Sequence, residues 1–89
     1  MTLNIDKSED RSDAIEALSR AFALSRQEAR LTLELASGAS LRQSAQTLGI
    51  KYETARGYLK SIFAKTGCNN QLALVLKVHQ DLNMDSSQE

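Results

Sequence analysis

The chain has 89 residues, 42% of them hydrophobic, with eleven basic and eleven acidic side chains and a formal net charge of zero. That length holds one small domain, which buries only about 60–65% of the surface its unfolded form exposes, so pairing with a second copy is a natural source of further burial. A lone cysteine, Cys68, excludes an intramolecular disulfide. The absence of Cys/His clusters argues against a structural zinc site, and no apolar run approaches the roughly 18 residues of a membrane span.

The N-terminal MTLNIDKSEDRSD is polar and acidic where a signal peptide needs a basic start and an apolar run, so a cytoplasmic protein without membrane attachment is expected. The first predicted helix runs from about Asp13 to Ala23, with Ser12 as its N-cap and Ala14, Ile15, Leu18, Ala21 and Phe22 on one apolar stripe. A second starts at Ser25, which forms a capping box with Glu28 behind a staple residue, Leu24; it buries Leu31, Leu35 and Ala36 and stops at Gly38. Ser40 with Gln43 opens a third, short helix that Gly49 ends after Leu48. Ile50 anchors the connection to a fourth, from about Tyr52 to Lys65, with Ala55, Tyr58, Leu59 and Ile62 at helical spacing and Gly67 as its stop.

A fifth helix is predicted from about Asn70 to Leu82, capped by Asn69, and it carries two apolar rows: Leu74, Val78 and Leu82, and Leu72, Val75, Leu76 and His79. Asn83 to Glu89 reads as a disordered polar tail. No segment alternates apolar and polar residues as a half-buried strand does. The fold class is therefore all-α: a small helical bundle with an extra N-terminal helix over residues 1–23, a main domain over 24–82 and a tail over 83–89.

Zero net charge conceals an asymmetry. Between Ser40 and Thr66 stand Arg42, Lys51, Arg56, Lys60 and Lys65 against the single acid Glu53, a local charge of +4. Two short helices joined by a glycine turn, the second basic and solvent-facing, form a helix-turn-helix, whose second helix enters the major groove while the first crosses the phosphate backbone.

Leu24 to Val75 resembles the C-terminal DNA-binding domain of LuxR-type regulators. LSRQEARLTLELASGAS is similar to that family's opening helix and glycine stop, LRQSAQTLGI to its scaffold helix and turn, YETARGYLKSIFAKTGC to its recognition helix, and NNQLALV to the start of its closing helix. The resemblance implies a backbone-contacting role for Thr54, a groove-reading role for Arg56, a family position for Lys65 and a dimer contact on the last helix. Lys51 departs from the family's Ser or Thr cap, Ser44 from an apolar core residue, Tyr58 from a common His and Gln71 from an Arg, which bears on sequence preference rather than fold.

Residue chemistry assigns the candidate site. Arg56 and Lys60 share a helix face and reach guanine O6 and N7 or a phosphate; Glu53 accepts from a cytosine amino group or positions Arg56. Gly57 invites close approach, Lys51 and Tyr52 reach phosphates or base edges at the helix start, Arg42 suits a phosphate clamp, and Lys65 favours a helix C-terminus whether or not DNA is bound. His79 lacks a ligand partner, and Cys68 has no activating neighbour in sequence. No nucleophile-base set, phosphate-cradling loop or paired carboxylates appear, so neither an enzyme nor a cofactor is expected. The function implied is a homodimeric double-stranded DNA-binding transcription regulator with Leu72, Val75, Leu76 and His79 on its dimer seam. The alternative is an interaction module that pairs with another transcription regulator and blocks it. Members of the family usually tether this module to a sensor or receiver domain, and none is legible in these residues, so control by abundance or by a partner is expected unless the chain is cut from something larger.

Overall fold

The computed structural model describes the backbone of residues 2–82 and the side chains of residues 11–82. Within it five helices follow one another: α1 Thr2–Phe22, α2 Arg26–Ala36, α3 Leu41–Leu48, α4 Tyr52–Thr66 and α5 Gln71–Leu82. The all-helical bundle expected from the sequence is thus the fold, and α2 is its axis, touching each of the other four. The residues assigned to a disordered tail, 83–89, lie outside the described residues.

α2 owes its central place to apolar residues buried on more than one of its sides, between polar residues that are bonded within the fold or only partly buried. Ala29, Leu31, Leu33 and Leu35 are all core, as is Thr32, whose hydroxyl donates to the Glu28 carbonyl at 2.8 Å. The sequence predicted a stripe of Leu31, Leu35 and Ala36 on this helix. Ala36 is only partly buried and Leu33 is buried, because α1, α4 and α5 surround α2 rather than covering one side of it. Each fully buried leucine contributes about 1.5–3 kcal/mol of transfer free energy.

α1 begins far ahead of Asp13, so Ser12 lies inside the helix and not at its cap. Proline and glycine are absent from residues 2–22, and nothing local stops the helix from extending. Arg11 adds a tie to α2 through a 2.6 Å ion pair with Glu34. Ile15 and Leu18 are buried, Ala14 and Phe22 pack partly, and Ala21 of the predicted stripe is exposed. α1 ends without a glycine: Ala23 adopts φ 58° so that the Leu24 N–H reaches the Ser19 carbonyl at 3.1 Å and Leu24 turns into the core. An L-residue there carries about 1–2 kcal/mol of strain.

Both capping boxes predicted from sequence are present. Ser25 Oγ accepts from the Glu28 N–H while Glu28 Oε1 accepts from the Ser25 N–H, and Ser40 and Gln43 reciprocate in the same way. On α5 the cap shifts by one residue. Asn70 Oδ1, not Asn69, accepts from the Ala73 N–H at 2.8 Å, because the helix starts at Gln71 and Ala73 is its third residue; Asn69 Oδ1 accepts instead from the Asn70 amide group.

Candidate nucleic-acid interface

Three residues connect α3 to α4, and local chemistry dictates how. Gly49 takes the left-handed conformation at φ 72°, where a Cβ is disfavoured, and the Ile50 N–H then closes back on the Ala45 carbonyl at 3.0 Å. Ile50 packs against the core and Lys51 returns to extended backbone, φ −73° and ψ 151°, from which α4 departs. Lys51 makes no side-chain cap bond. Ser44, buried on α3, satisfies its hydroxyl by donating to the Ser40 carbonyl at 2.8 Å.

Ala55 and Ile62 bury one side of α4, and Tyr58, Leu59 and Phe63 pack partly on the core. The opposite side carries Lys51, Tyr52, Glu53, Thr54, Arg56, Gly57 and Lys60, all exposed. The structure therefore brings seven of the nine predicted contact residues onto one continuous surface. Arg42 joins them from the neighbouring helix: its guanidinium lies 4.4 Å from the centroid of the Tyr52 ring, which clasps the start of α3 to the start of α4. Below this clasp a groove of about 270 Å³ is lined by Leu41, Tyr52, Arg56, Leu59, Lys60 and Phe63. The sequence reading did not single out Leu41 or Phe63, although Tyr52, Arg56, Leu59 and Phe63 recur at helical spacing and so mark this side of α4.

Lys65 stands apart. It lies nine residues beyond Arg56, roughly 13 Å further along the helix axis, and its ammonium donates to Glu28 Oε1 at 2.8 Å. Burial of Glu28 by itself raises its carboxyl pKa, but Lys65, the Ser25 N–H and the Ser61 hydroxyl outweigh it and hold the group at about 2 against an ordinary 4.5. The same carboxylate oxygen thus serves the α2 capping box and fastens the end of α4. Lys65 has a structural partner inside the chain that sequence spacing gave no reason to expect.

Arg42, Lys51, Arg56 and Lys60 form no ion pair among the described residues, where the pairs are Arg11–Glu34 and Lys65–Glu28. Glu53 makes none with Arg56 either, so it does not hold the Arg56 side chain in place here. Gly57 sits mid-helix at ordinary helical φ, where glycine costs about 0.5–1 kcal/mol relative to alanine. This surface holds cations, one carboxylate and a tyrosine ring, and no nucleophile with a base beside it. Among the described residues no three His, Cys, Asp or Glu side chains cluster as metal ligands do.

No protein-family model, curated protein or solved structure matches this chain.

A second surface lies on α5. Leu74 and Val78 are fully buried, as their row predicted, and Leu82 is partly so. Of the other row Leu72 is 68% exposed and Leu76 55%, one turn apart, while Val75 is half-buried. His79 is exposed, and its Nε2 lies 2.8 Å from the Ala36 carbonyl, fastening α5 to the end of α2. Cys68 is half-buried in the turn before α5 and unpaired. No helix among the described residues is long and apolar enough to cross a membrane.

Proposed function

We propose that this chain is a cytoplasmic transcription regulator of the LuxR type, binding double-stranded DNA as a homodimer with α4 of each copy in a major groove. The observation that carries this reading is the outer face of α4 with its flank on α3: Arg42, Lys51, Arg56 and Lys60, exposed and without ion pairs among the described residues, beside a single acid, Glu53. Four cations against one anion give that surface a charge of +3 on a chain that is neutral overall. A rigid helix presented by a three-residue turn suits base-edge reading, with Lys51, Thr54 and Arg42 at its near end placed for phosphates. Leu72 and Leu76 on α5, with Val75 beside them, supply the apolar contact for a two-fold partner.

The experiment is selection of bound duplexes from a random pool, repeated with Arg56→Ala, followed by a salt titration of the winner. An enriched site made of two inverted halves about one helical turn apart, lost in the variant and weakening steeply as salt rises, is the expected result. Folded protein that enriches nothing at low salt overturns the reading. The exposed Leu72 and Leu76 support a second reading, in which the chain pairs through α5 with another transcription regulator and blocks it. Leu72→Lys with Leu76→Lys then abolishes action in the cell while Arg56→Ala with Lys60→Ala leaves it intact.

A further inference from the structure

A glycine inside a helix needs a reason, and for Gly57 the usual reasons fail within this chain. Its φ is not in the left-handed region that Gly38, Gly49 and Gly67 occupy, so alanine adopts the same backbone there. A Cβ added to Gly57 meets nothing within 4 Å, so no neighbouring helix presses close enough to demand its absence. The residue is neither a turn nor a packing notch. Among the described residues nothing offsets the lower helix propensity that glycine brings.

Its surroundings point outward instead. Gly57 is exposed, one turn beyond Glu53 and three residues before Lys60, so helical geometry puts the three on one face with Arg56 at its edge. Glu53 and Lys60 form no ion pair among the described residues. The face therefore has a bare stretch of backbone in its centre, an acceptor on one side and a donor on the other.

We infer that Gly57 is the point of closest approach between α4 and DNA, letting the helix lie against the base edges so that the flanking Glu53 and Lys60 both reach them. The inference rests on the DNA-reading proposal and assigns specificity within it. Glu53 accepts from a cytosine N4 amino group and Lys60 donates to guanine O6 and N7, so the half-site centres on G·C pairs under Gly57. A methyl group at position 57 lifts the helix off the groove floor and withdraws both readers, while the phosphate contacts from Lys51, Thr54 and Arg42 at the helix start remain.

The test compares wild-type full chain with Gly57→Ala, Gly57→Ser, Glu53→Gln and Arg56→Ala, measuring Tm in the free state and Kd for the selected duplex and for duplexes with each G·C pair exchanged. Gly57→Ala is expected to raise Tm by about 2–6 °C and yet to weaken binding by about 10-fold or more, with discrimination at the central G·C pairs reduced. Its salt slope stays within about one unit of wild type, because the phosphate contacts persist. Gly57→Ser weakens binding to the same extent with a smaller gain in Tm, and Glu53→Gln relaxes preference at a single C·G pair. Gly57→Ala that binds within two-fold of wild type, while Arg56→Ala loses binding, overturns this inference and leaves the DNA-reading proposal standing. A fall in Tm also overturns it, since the glycine then has an internal role. Wild-type protein that selects no duplex overturns both.

Discussion

The carboxylates of α2 and the charges on the outer face of α4 meet opposite fates. On α2, Glu28 and Glu34 each take a cation from another helix, Lys65 of α4 and Arg11 of α1, at 2.8 and 2.6 Å. On the outer face of α4, Arg56, Lys60 and Glu53 take none among the described residues. Both regions come from the same short amphipathic vocabulary. What separates them is where the axis of the bundle falls: the carboxylates next to it tie helices together, and the charges turned away from it make no ion pair among the described residues. Local charge composition alone therefore overstates the unpaired charge of a surface, as Lys65 demonstrates.

The largest effect belongs to the axis itself. Leu31→Ala, at a fully buried position on α2, is expected to remove about 3–4 kcal/mol of stability, read from urea unfolding, with any loss of DNA binding following from unfolding. A variant that keeps its urea midpoint would deny α2 its central role. Next comes the tie between the two regions. Glu28→Ala removes the Lys65 contact and half of the capping box together and is expected to destabilise by about 2 kcal/mol, discounted for the partial exposure of Lys65. Glu28→Gln retains the cap acceptor and loses less. Because the folded pKa of Glu28, about 2, lies below its ordinary 4.5, the unfolded chain takes up the proton first. Stability from this group is complete above about pH 4.5 and falls as the pH drops towards 2. Glu28→Gln should flatten that part of the stability curve, and an unchanged curve would mean that the pair does not form in solution.

The outer face is expected to behave in the opposite way. Arg56→Ala should shift stability by no more than about 0.5 kcal/mol while weakening DNA binding by about 1–3 kcal/mol. A large drop in Tm would place Arg56 with the cohesive charges and erase the contrast. The smallest change tests a strained residue: Ala23→Gly should stabilise by about 1 kcal/mol, seen as a higher Tm, by relieving the left-handed conformation at the end of α1.

Much of the candidate site was legible in sequence because it rests on local rules. A capping box announces itself by Ser25 and Glu28 three apart, a left-handed stop by Gly49, and a shared face by Arg56 and Lys60 four apart. These interactions close within one or two turns, and spacing alone specifies them. The long α1 escaped the same treatment because Ser12 imitated a cap; a cap residue acts only where the helix begins, and nothing upstream of it breaks this one. Asn69 and Asn70 show the finer limit, since two adjacent asparagines offer the same chemistry and the register of the following helix selects one.

By itself, then, the sequence determined that the chain is helical, where four of the five described helices begin and end to within a residue or two, and that a basic face follows the Gly49 turn. Only the tertiary structure decided that α2 is buried on nearly all sides, that Lys65 answers Glu28 across 37 positions, that His79 fastens to the Ala36 carbonyl, and that Arg42 covers the Tyr52 ring. Each of these depends on which helices lie side by side. That arrangement is set by the joint packing of all the apolar stripes at once, a property no single segment carries.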